Sequence, residues 1–361
     1  TDFSGAASID NIEILHLSYT ETKALFSGTL MDGKTWTVDG SGSSVDLKIQ
    51  ADGTAFDLSG LSFTNWSSSD DVYVLGTAGN DTMTGTSESD SMTGSGGTDS
   101  LVGGDGGDTL LGEADNDILH GGLGSDSLSG GLGADTMYGE AGGDSLRGGS
   151  GADSLLGGAG NDTFYFTGGA GDVAAGEVID GGADTDTLYV TDYNITTDFS
   201  GAASIDNIEI LHLSDTESKA LFSGTLMDGK TWTVNGSGPY VDLTIQADGA
   251  AFDLSGLSFT EWSSSDEVFI EGSAGTDTMT GTPENDTIKG YDGNDSLHGS
   301  GEADVLYGHA GQDTLDGGTG NDQIWGGSDA DQLLGGDGID TFYFTAGAGD
   351  VAAGEAIDGG A

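Results

Sequence analysis

The chain has 361 residues, of which 68 are Gly, 2 are Pro and none is Cys, and its formal net charge is −55. So much Gly without a three-residue period excludes collagen and requires many tight turns, while the lack of Cys excludes a disulfide scaffold or a thiolate metal site. The excess of carboxylates excludes nucleic acid and anionic membranes as partners, and no apolar run is long enough for membrane insertion.

Residues 1–75 form the first segment, in which apolar and polar residues alternate. The alternation predicts strands around Ile14, Val38, Ile49 and Val74, with turns between them and no clear helix. We interpret this segment as a β-rich spacer that is built either of irregular β-solenoid coils or of an independent β-sandwich. The strand ending at Leu75 runs directly into the next segment, which favours continuous coils.

A nonapeptide repeat follows at 76–166, with ten units, and returns at 272–344, with eight. Typical units read GGLGADTMY (130–138) and GGTGNDQIW (317–325). All eighteen units have Gly at position one, Asp at position six and an apolar residue at position eight. Gly also fills position four in thirteen units, and the other five carry Glu or Asp there.

The pattern of each unit predicts a six-residue turn followed by a three-residue strand. The Gly residues permit the positive φ angles of a sharp turn, and the apolar eighth residue faces the core. Two units then make one coil of 18 residues, with adjacent coils about 4.8 Å apart. Such arrays form a parallel β-roll, a kind of β-solenoid, and the fold class is all-β.

Stacked coils place every sixth-position Asp over the one 18 residues further on, as Asp99 lies over Asp117. At that spacing two bare carboxylates repel by about 3.5 kcal/mol if the effective dielectric constant is about 20. One buried Leu per unit contributes about 2–3 kcal/mol, against about 10 kcal/mol for ordering nine residues. A cation must supply the difference, and carboxylate and carbonyl oxygens in a roomy turn favour Ca²⁺ over Mg²⁺.

The expected calcium ligands are therefore the sixth-position Asp residues, with about eight sites in the first array and about six in the second. In the first array they are Asp81, Asp90, Asp99, Asp108, Asp117, Asp126, Asp135, Asp144, Asp153 and Asp162. In the second they are Asp277, Asp286, Asp295, Asp304, Asp313, Asp322, Asp331 and Asp340. Asp172, Asp180 and Asp186, with Asp350 and Asp358 in the second copy, either form a further site or cap the roll.

The remaining segments are a capping coil and junction at 167–196, a second copy of the spacer at 197–271, and a truncated capping coil at 345–361. Residues 1–75 recur at an offset of 196, but residues 172–183 recur as 350–361 at an offset of 178. The difference of 18 is two nonapeptides, or one coil. A solenoid tolerates the loss of one whole coil, whereas a globular domain does not.

The nonapeptide resembles the RTX (repeats-in-toxin, haemolysin-type calcium-binding) family. The resemblance implies a right-handed parallel β-roll with Ca²⁺ between adjacent turns. It also implies type I secretion, with folding on contact with external Ca²⁺, and an extracellular or cell-surface location. Position six of the family motif falls on the Asp residues named above, and the acidic residues at position four are expected to alter the turn geometry.

We expect a structural role, as a Ca²⁺-rigidified rod within a tandem-repeat surface protein or filament, such as an adhesin stalk, an S-layer, a sheath or a fibre. Ala361 aligns with Ala183 and Thr1 with Thr197, so the thirteen residues at 184–196 would join the end to the beginning in register. The expected partner is the chain itself, head-to-tail or within a longer repetitive chain. Cell-surface glycans and other matrix components are further candidate partners.

Two alternatives come from the same resemblance. The first is the non-catalytic module of a type I-secreted protease, lipase or polysaccharide-modifying enzyme. No HExxH zinc motif, GxSxG nucleophile elbow or phosphate-binding loop is present, so we expect no enzyme activity in these residues. The second is ice binding, which the sequence disfavours because only Thr319 places Thr at position three and no regular row forms.

Overall fold

The computed structural model describes residues 2–6, 8–9, 12–17, 23–41, 45–52, 55–67, 70–167, 172–191, 195–214, 217–238, 240–249, 251–344, 354 and 356–360. This part of the chain is almost entirely β-structure. None of its helices has the length and apolar character needed to cross a membrane. The chain divides into two compact units, Thr1–Leu188 with Ala202–Ile208 and Tyr189–Gly201 with Glu209–Ala361.

The elements of the first spacer and array are bounded as follows. The spacer contains β1 (Ile14–His16), β2 (Lys23–Ser27), α1 (Gly28–Met31), β3 (Thr37–Asp39), β4 (Asp46–Gln50), β5 (Ala55–Asp57), β6 (Ser62–Thr64) and β7 (Asp71–Leu75). The array contains β8 (Thr82–Thr84), β9 (Asp90–Gly96), β10 (Ser100–Asp105), β11 (Thr109–Ala114), β12 (Ile118–Leu123), β13 (Ser127–Leu132), β14 (Thr136–Ala141), β15 (Ser145–Ser150), β16 (Ser154–Ala159) and β17 (Thr163–Phe166).

The later elements repeat this series. The junction and second spacer contain β18 (Val178–Ala183), β19 (Thr187–Val190), β20 (Thr196–Asp198), β21 (Ser204–Asp206), β22 (Ile210–Leu213), β23 (Lys219–Ser223), α2 (Gly224–Met227), β24 (Thr233–Gly236), β25 (Asp242–Gln246), β26 (Phe252–Asp253), β27 (Ser258–Thr260) and β28 (Glu267–Glu271). The second array and its end contain β29 (Thr278–Thr280), β30 (Asp286–Asp292), β31 (Ser296–Gly301), β32 (Val305–Ala310), β33 (Thr314–Gly320), β34 (Gln323–Ser328), β35 (Gln332–Gly338), β36 (Thr341–Phe342) and β37 (Ala356–Asp358).

Each array coil contributes one strand to each of two parallel sheets. In the first unit, β5, β8, β10, β12, β14, β16, β18 and β21 follow one another in one sheet, and β2, β4, β7, β9, β11, β13, β15 and β17 in another. Leu101 pairs with Leu119, and Leu110 with Leu128, each 18 residues on. These eighth-position side chains are at most 1 % exposed, so the predicted period, parallel pairing and core residues are confirmed.

The strands are longer than the three residues predicted for each repeat. Strand β11, for example, runs from Thr109 through Gly112 to Ala114. The ladder continues through the glycines because backbone pairing does not need a side chain, as Gly104 pairs with Gly122. The turn between strands is therefore shorter than the predicted six residues.

The spacers are solenoid coils of a different cross-section. In the first unit β1, β3 and β6 form a third, three-stranded parallel sheet, so a spacer coil has three strands where an array coil has two. Asp46 pairs with Asp71, which makes this coil 25 residues long. Its wider interior is filled by aromatic rings, such as Phe26 against Trp36 at 6.2 Å between centroids.

Within each unit the spacer continues directly into the array. In the first unit Val72 pairs with Asp90, and in the second Val268 pairs with Asp286, all in parallel. A β-sandwich of antiparallel strands, the alternative considered for the spacers, is therefore wrong for the described residues. The short helices α1 and α2, which the sequence pattern did not predict, each occupy a corner of a spacer coil.

The second unit repeats this architecture. One sheet contains β20, β23, β25, β28, β30, β32, β34 and β36 in order, and another contains β26, β29, β31, β33, β35 and β37. Strands β22, β24 and β27 correspond to the three-stranded sheet of the first spacer. Ile288 pairs with Leu306, and Leu306 with Ile324, so the 18-residue register is the same in both arrays.

The packing predicts a sharp contrast between two leucines of strand β12. Leu119 is fully buried, whereas Leu123 is 57 % exposed. At saturating Ca²⁺ we expect Leu119→Ala to lower the free energy of unfolding by about 2–5 kcal/mol because it leaves a cavity. Leu123→Ala should change it by less than about 0.5 kcal/mol. Urea denaturation followed by circular dichroism measures both, and equal effects would contradict the assigned core.

Candidate metal-binding turns

The sixth-position Asp residues form two rows in each unit. The Asp81 row contains Asp81, Asp99, Asp117, Asp135 and Asp153, and the Asp90 row contains Asp90, Asp108, Asp126, Asp144 and Asp162. The Asp277 row contains Asp277, Asp295, Asp313 and Asp331, and the Asp286 row contains Asp286, Asp304, Asp322 and Asp340. All except Asp340 are at most 3 % exposed, so each row is a column of buried carboxyls.

One carboxylate oxygen in each interior turn is satisfied by the backbone. The amide of Asp99 donates to Oδ1 of Asp117 at 2.8 Å, and the amide of Asp108 donates to Oδ1 of Asp126 at 2.7 Å. The same bond recurs along all four rows at 2.7 to 3.1 Å. These bonds fix the orientation of every carboxyl group along the stack.

The second carboxylate oxygen, Oδ2, is buried and has no hydrogen-bond partner within the described part of the chain. This is the state of Oδ2 in Asp99, Asp108, Asp117, Asp126, Asp135, Asp144, Asp153, Asp162, Asp295, Asp304, Asp313, Asp322 and Asp340. A buried charged oxygen without a partner costs several kcal/mol, and native proteins avoid leaving one. A repeated orphan of this kind indicates a missing positively charged partner.

Each of these oxygens faces a first-position Gly and, except at Asp153 and Asp340, also a backbone carbonyl of the next coil. A Cβ atom on Gly112 would lie 2.4 Å from Oδ2 of Asp117 and 2.7 Å from the carbonyl oxygen of Gly130. On Gly317 it would lie 2.3 Å from Oδ2 of Asp322 and 2.6 Å from the carbonyl oxygen of Gly335. Gly is therefore required at position one because a side chain would fill the place where the oxygens converge.

Burial shifts the acidity of these carboxyls strongly. It raises the pKa of Asp108, Asp117 and Asp162 to about 7 and that of Asp304 to about 9. The bond from the neighbouring amide lowers each pKa but does not offset burial. Near neutral pH such a group holds a proton unless a cation takes the proton's place.

The carboxylate and carbonyl oxygens of these turns are suitable ligands for Ca²⁺. The oxygens are hard ligands, and no three His, Cys, Asp or Glu side chains converge at one point in the described residues. Because Ca²⁺ takes six to eight oxygens, most ligands beside the Asp carboxylates would be backbone carbonyls of the turns. The ion would supply charge neutralisation and a bond between adjacent coils.

Three of the five acidic residues at position four keep the left-handed backbone of the turn. Asp115, Glu302 and Asp329 adopt φ angles of 75°, 63° and 82°, in the left-handed region that Gly occupies at this position in other units. The turn keeps its left-handed residue at these three positions, with a smaller φ than the 99° to 147° of Gly at position four in the other later-coil units. The remaining two acids, Glu88 and Glu284, lie in the first coil of each array and do not have positive φ.

The end of the first array contains a residue that the sequence analysis missed. Oε2 of Glu177 accepts the amide of Asp153 at 3.1 Å, which places Glu177 in the Asp81 row. Its Oε1 is buried without a hydrogen-bond partner in the described structure, and burial raises its pKa to about 8. The signal was present, because EVIDGGA (177–183) aligns with DSLLGGA (153–159) once Glu is allowed in place of Asp.

The flanking Asp residues are placed differently from one another. The amide of Asp162 donates to Oδ1 of Asp186 at 2.7 Å, so Asp186 extends the Asp90 row. Asp172 accepts the amide and hydroxyl of Thr167, and Asp180 accepts the side-chain amide of Asn207, so both lie outside the rows. Asp358 is exposed. Asp350 lies outside the described residues, and the calcium role of all these residues stays a prediction.

The elevated pKa values predict how pH acts on the metal-free fold. The unfolded chain has ordinary Asp pKa values of about 3.9, so folding takes up protons between that pH and the raised folded values. The resulting stability is fully present below about pH 4 and is lost as pH rises through about 7. We expect calcium-free protein, prepared by chelation and desalting, to gain β-sheet circular dichroism when acidified from pH 8 to pH 5.

A matched pair of variants separates this effect from the general loss of negative charge. Changing buried Asp108 and Asp117 to Asn should reduce the pH dependence of the calcium-free β-sheet signal. Changing exposed Asp292 and Asp337 to Asn should leave it close to that of the unmodified chain. A calcium-free signal that is flat or falls on acidification would contradict the role given to the buried carboxyls.

The position of Glu177 in the Asp81 row predicts that removing its charge reduces the number of bound calcium ions. Glu177→Gln keeps the size and the acceptor for the Asp153 amide but removes the charge, so we expect one fewer Ca²⁺ per chain by native mass spectrometry. Asp180→Asn should bind as many ions as the unmodified chain. The opposite result, with Asp180→Asn losing the ion, would support the original sequence prediction over the row geometry.

Comparison with known families agrees with this geometry. A model of the RTX calcium-binding nonapeptide repeat, containing four copies, matches residues 75–110, 102–137, 111–146, 138–173, 271–306 and 307–342. Comparison with curated proteins gives no match. The matched stretches include every sixth-position Asp of both arrays. The two arrays are RTX calcium-binding nonapeptide repeats, and the chain is a calcium-binding repeat protein.

Proposed function

We propose that this chain is a Ca²⁺-rigidified, rod-forming segment of an extracellular repetitive structure, such as an adhesin stalk, S-layer, sheath or fibre. The observation that carries the proposal is the column of buried, unpartnered Oδ2 atoms in each row. A stack that buries one such charge every nine residues is rigid only when a cation neutralises it. Calcium binding would therefore make the arrays rigid, because every interior coil needs the ion to neutralise its buried carboxylates.

The continuity of each unit supports a mechanical role. Spacer and array share the same parallel ladders, so a force along one sheet is carried by backbone hydrogen bonds from coil to coil. The spacers bury aromatic residues such as Phe222 and Trp232, and their coils need no row of carboxylates. Calcium-dependent and calcium-independent coils thus alternate along the sequence.

The internal duplication supports a repetitive assembly. The spacer and array occur twice at an offset of 196, and the copies differ in array length by one coil. We propose association with further copies of the same repeat, and no catalytic role for these residues. Extracellular calcium, at millimolar levels, suits sites whose affinity lies near 10⁻⁴ to 10⁻³ M, as is usual for extracellular modules.

Electron microscopy with and without chelator tests the proposed rod. At pH 8 with Ca²⁺ we expect elongated, uniform particles, and in chelator at the same pH we expect these to be lost because the ionised rows repel. Asp126, Asp144, Asp304 and Asp322 changed together to Asn should weaken the calcium dependence. Exposed Asp105, Asp184, Asp292 and Asp337 changed to Asn form the matched control. Compact particles in Ca²⁺, unchanged by chelator, would overturn the proposal.

A further inference from the structure

The first coil of each array closes its turns differently from the interior coils that follow it. In the first array the amide and hydroxyl of Thr77 donate to Oδ2 of Asp81 at 2.7 and 2.9 Å. Thr86 does the same to Oδ2 of Asp90 at 2.6 and 3.0 Å. The oxygen that has no hydrogen-bond partner in the later turns described above thus receives two hydrogen bonds here.

The first coil of the second array repeats the arrangement. The amide and hydroxyl of Ser273 donate to Oδ2 of Asp277 at 2.6 and 3.1 Å. The amide of Thr282 donates to Oδ2 of Asp286 at 2.6 Å, and its hydroxyl donates to Oδ1 at 2.9 Å. All four first-coil turns therefore carry a hydroxyl residue at position two that bonds its own Asp.

These hydroxyls use both of their hydrogen-bonding functions. While the hydroxyl of Thr282 donates to the Asp, it accepts the amide of Glu284 at 3.2 Å. The hydroxyl of Thr86 accepts the amide of Glu88 at 3.1 Å in the same way. Thr86 and Thr282 are 3 % and 0 % exposed, so both side chains are packed inside the turn. Their hydrogen bonds satisfy a carboxylate oxygen of the kind that a cation would have to neutralise in a later turn.

A hydroxyl at position two is not sufficient by itself. Ser95 and Ser300 occupy position two in the second coils, where they adopt φ angles of 86° and 90°. Oδ2 of the corresponding Asp99 and Asp304 is buried without a hydrogen-bond partner in the described structure. Thr77, Thr86, Ser273 and Thr282 do not have positive φ, and in three of the four the branched Thr disfavours that region.

The first-position Gly of the Asp286 turn already faces the same kinds of oxygen atom as in a later turn. A Cβ atom on Gly281 would lie 2.4 Å from Oδ2 of Asp286 and 2.5 Å from the carbonyl oxygen of Gly299. Oδ2 of Asp117 and Oδ2 of Asp322, which have no hydrogen-bond partner in the described structure, face a first-position Gly and a carbonyl of the next coil in the same way. The two kinds of turn therefore differ in the residue and backbone conformation at position two and in the backbone at position four, where Gly79, Glu88, Gly275 and Glu284 lack the positive φ of the later coils.

We propose that the first coil of each array holds no calcium, because the amide and hydroxyl at position two take the place of the metal. Binding then begins at the second coil. This inference rests on the proposed calcium function, and it states which coil of each array binds the first calcium ion. The spacers close their turns in a related way, since the amide of Ser67 donates to Oδ2 of Asp70 at 2.7 Å and that of Ser263 to Asp266 at 2.6 Å.

The first coil would thus be the last metal-independent coil of the spacer and the surface on which the calcium-dependent coils stack. Oδ1 of Asp90 is a buried acceptor without a hydrogen-bond partner in the described structure, but the atom that faces the next coil, Oδ2, is the one that Thr86 satisfies. The Thr282 turn satisfies both oxygens of Asp286 and is the cleaner place for a test.

Charge removal in the second array tests the proposal directly. Native mass spectrometry of the full chain at saturating Ca²⁺ should show one fewer ion for Asp322→Asn and an unchanged count for Asp286→Asn. Equal losses in the two variants would overturn the inference while leaving the proposed calcium function intact. An unmodified chain that binds no Ca²⁺ would overturn both.

A second pair of variants tests the competition between hydroxyl and metal. Thr282→Gly removes the hydroxyl and permits positive φ, so we expect one additional Ca²⁺ per chain. Ser300→Gly, at the same position one coil later, should leave the count unchanged, because that serine does not bond its Asp. Circular dichroism in Ca²⁺ checks that both variants fold. An unchanged count in Thr282→Gly, or a gain in Ser300→Gly, would contradict the assignment.

Discussion

The structure depends on a buried carboxylate oxygen that the protein itself does not satisfy. In an interior turn such as that of Asp126, one oxygen receives a backbone amide from the preceding coil and the other is left for a cation. The first-position Gly follows from this, because any Cβ would collide with the carboxylate. Within the arrays the 18-residue period places the amide of one coil on the Asp of the next, as between Asp99 and Asp117.

Two sources of stability alternate along the chain. The array core is thin, with one Leu, Ile, Met or Phe per nonapeptide, and about 2–3 kcal/mol for each cannot offset the ordering of nine residues. The spacer coils are longer and enclose aromatic rings, such as Phe222 packed edge-on against Trp232 at 5.8 Å. Apolar burial therefore supports the spacers, while neutralisation of the rows must support the arrays.

Most of the fold could be predicted from the sequence because the repeat fixes several properties at once. The invariant Gly, Asp and apolar positions predicted the register, the core residues and the Asp rows. Glu177 could not be found by the 18-residue period, because it stands 24 residues after Asp153 in a longer coil. The hydroxyl-closed turns were also missed, since Ser273 and Ser300 share a residue type and differ in backbone conformation.

The ends of an array explain how its length can vary. The two copies differ by one coil, yet both begin with Ser or Thr at position two, and the sequence at 172–183 recurs almost unchanged at 350–361. An interior coil contacts only its neighbours, which are nearly identical, so removing it leaves every remaining turn with an equivalent partner. The first coil is different, because its hydroxyl-closed turns face a spacer. Array length is therefore free to change in whole coils between two fixed ends.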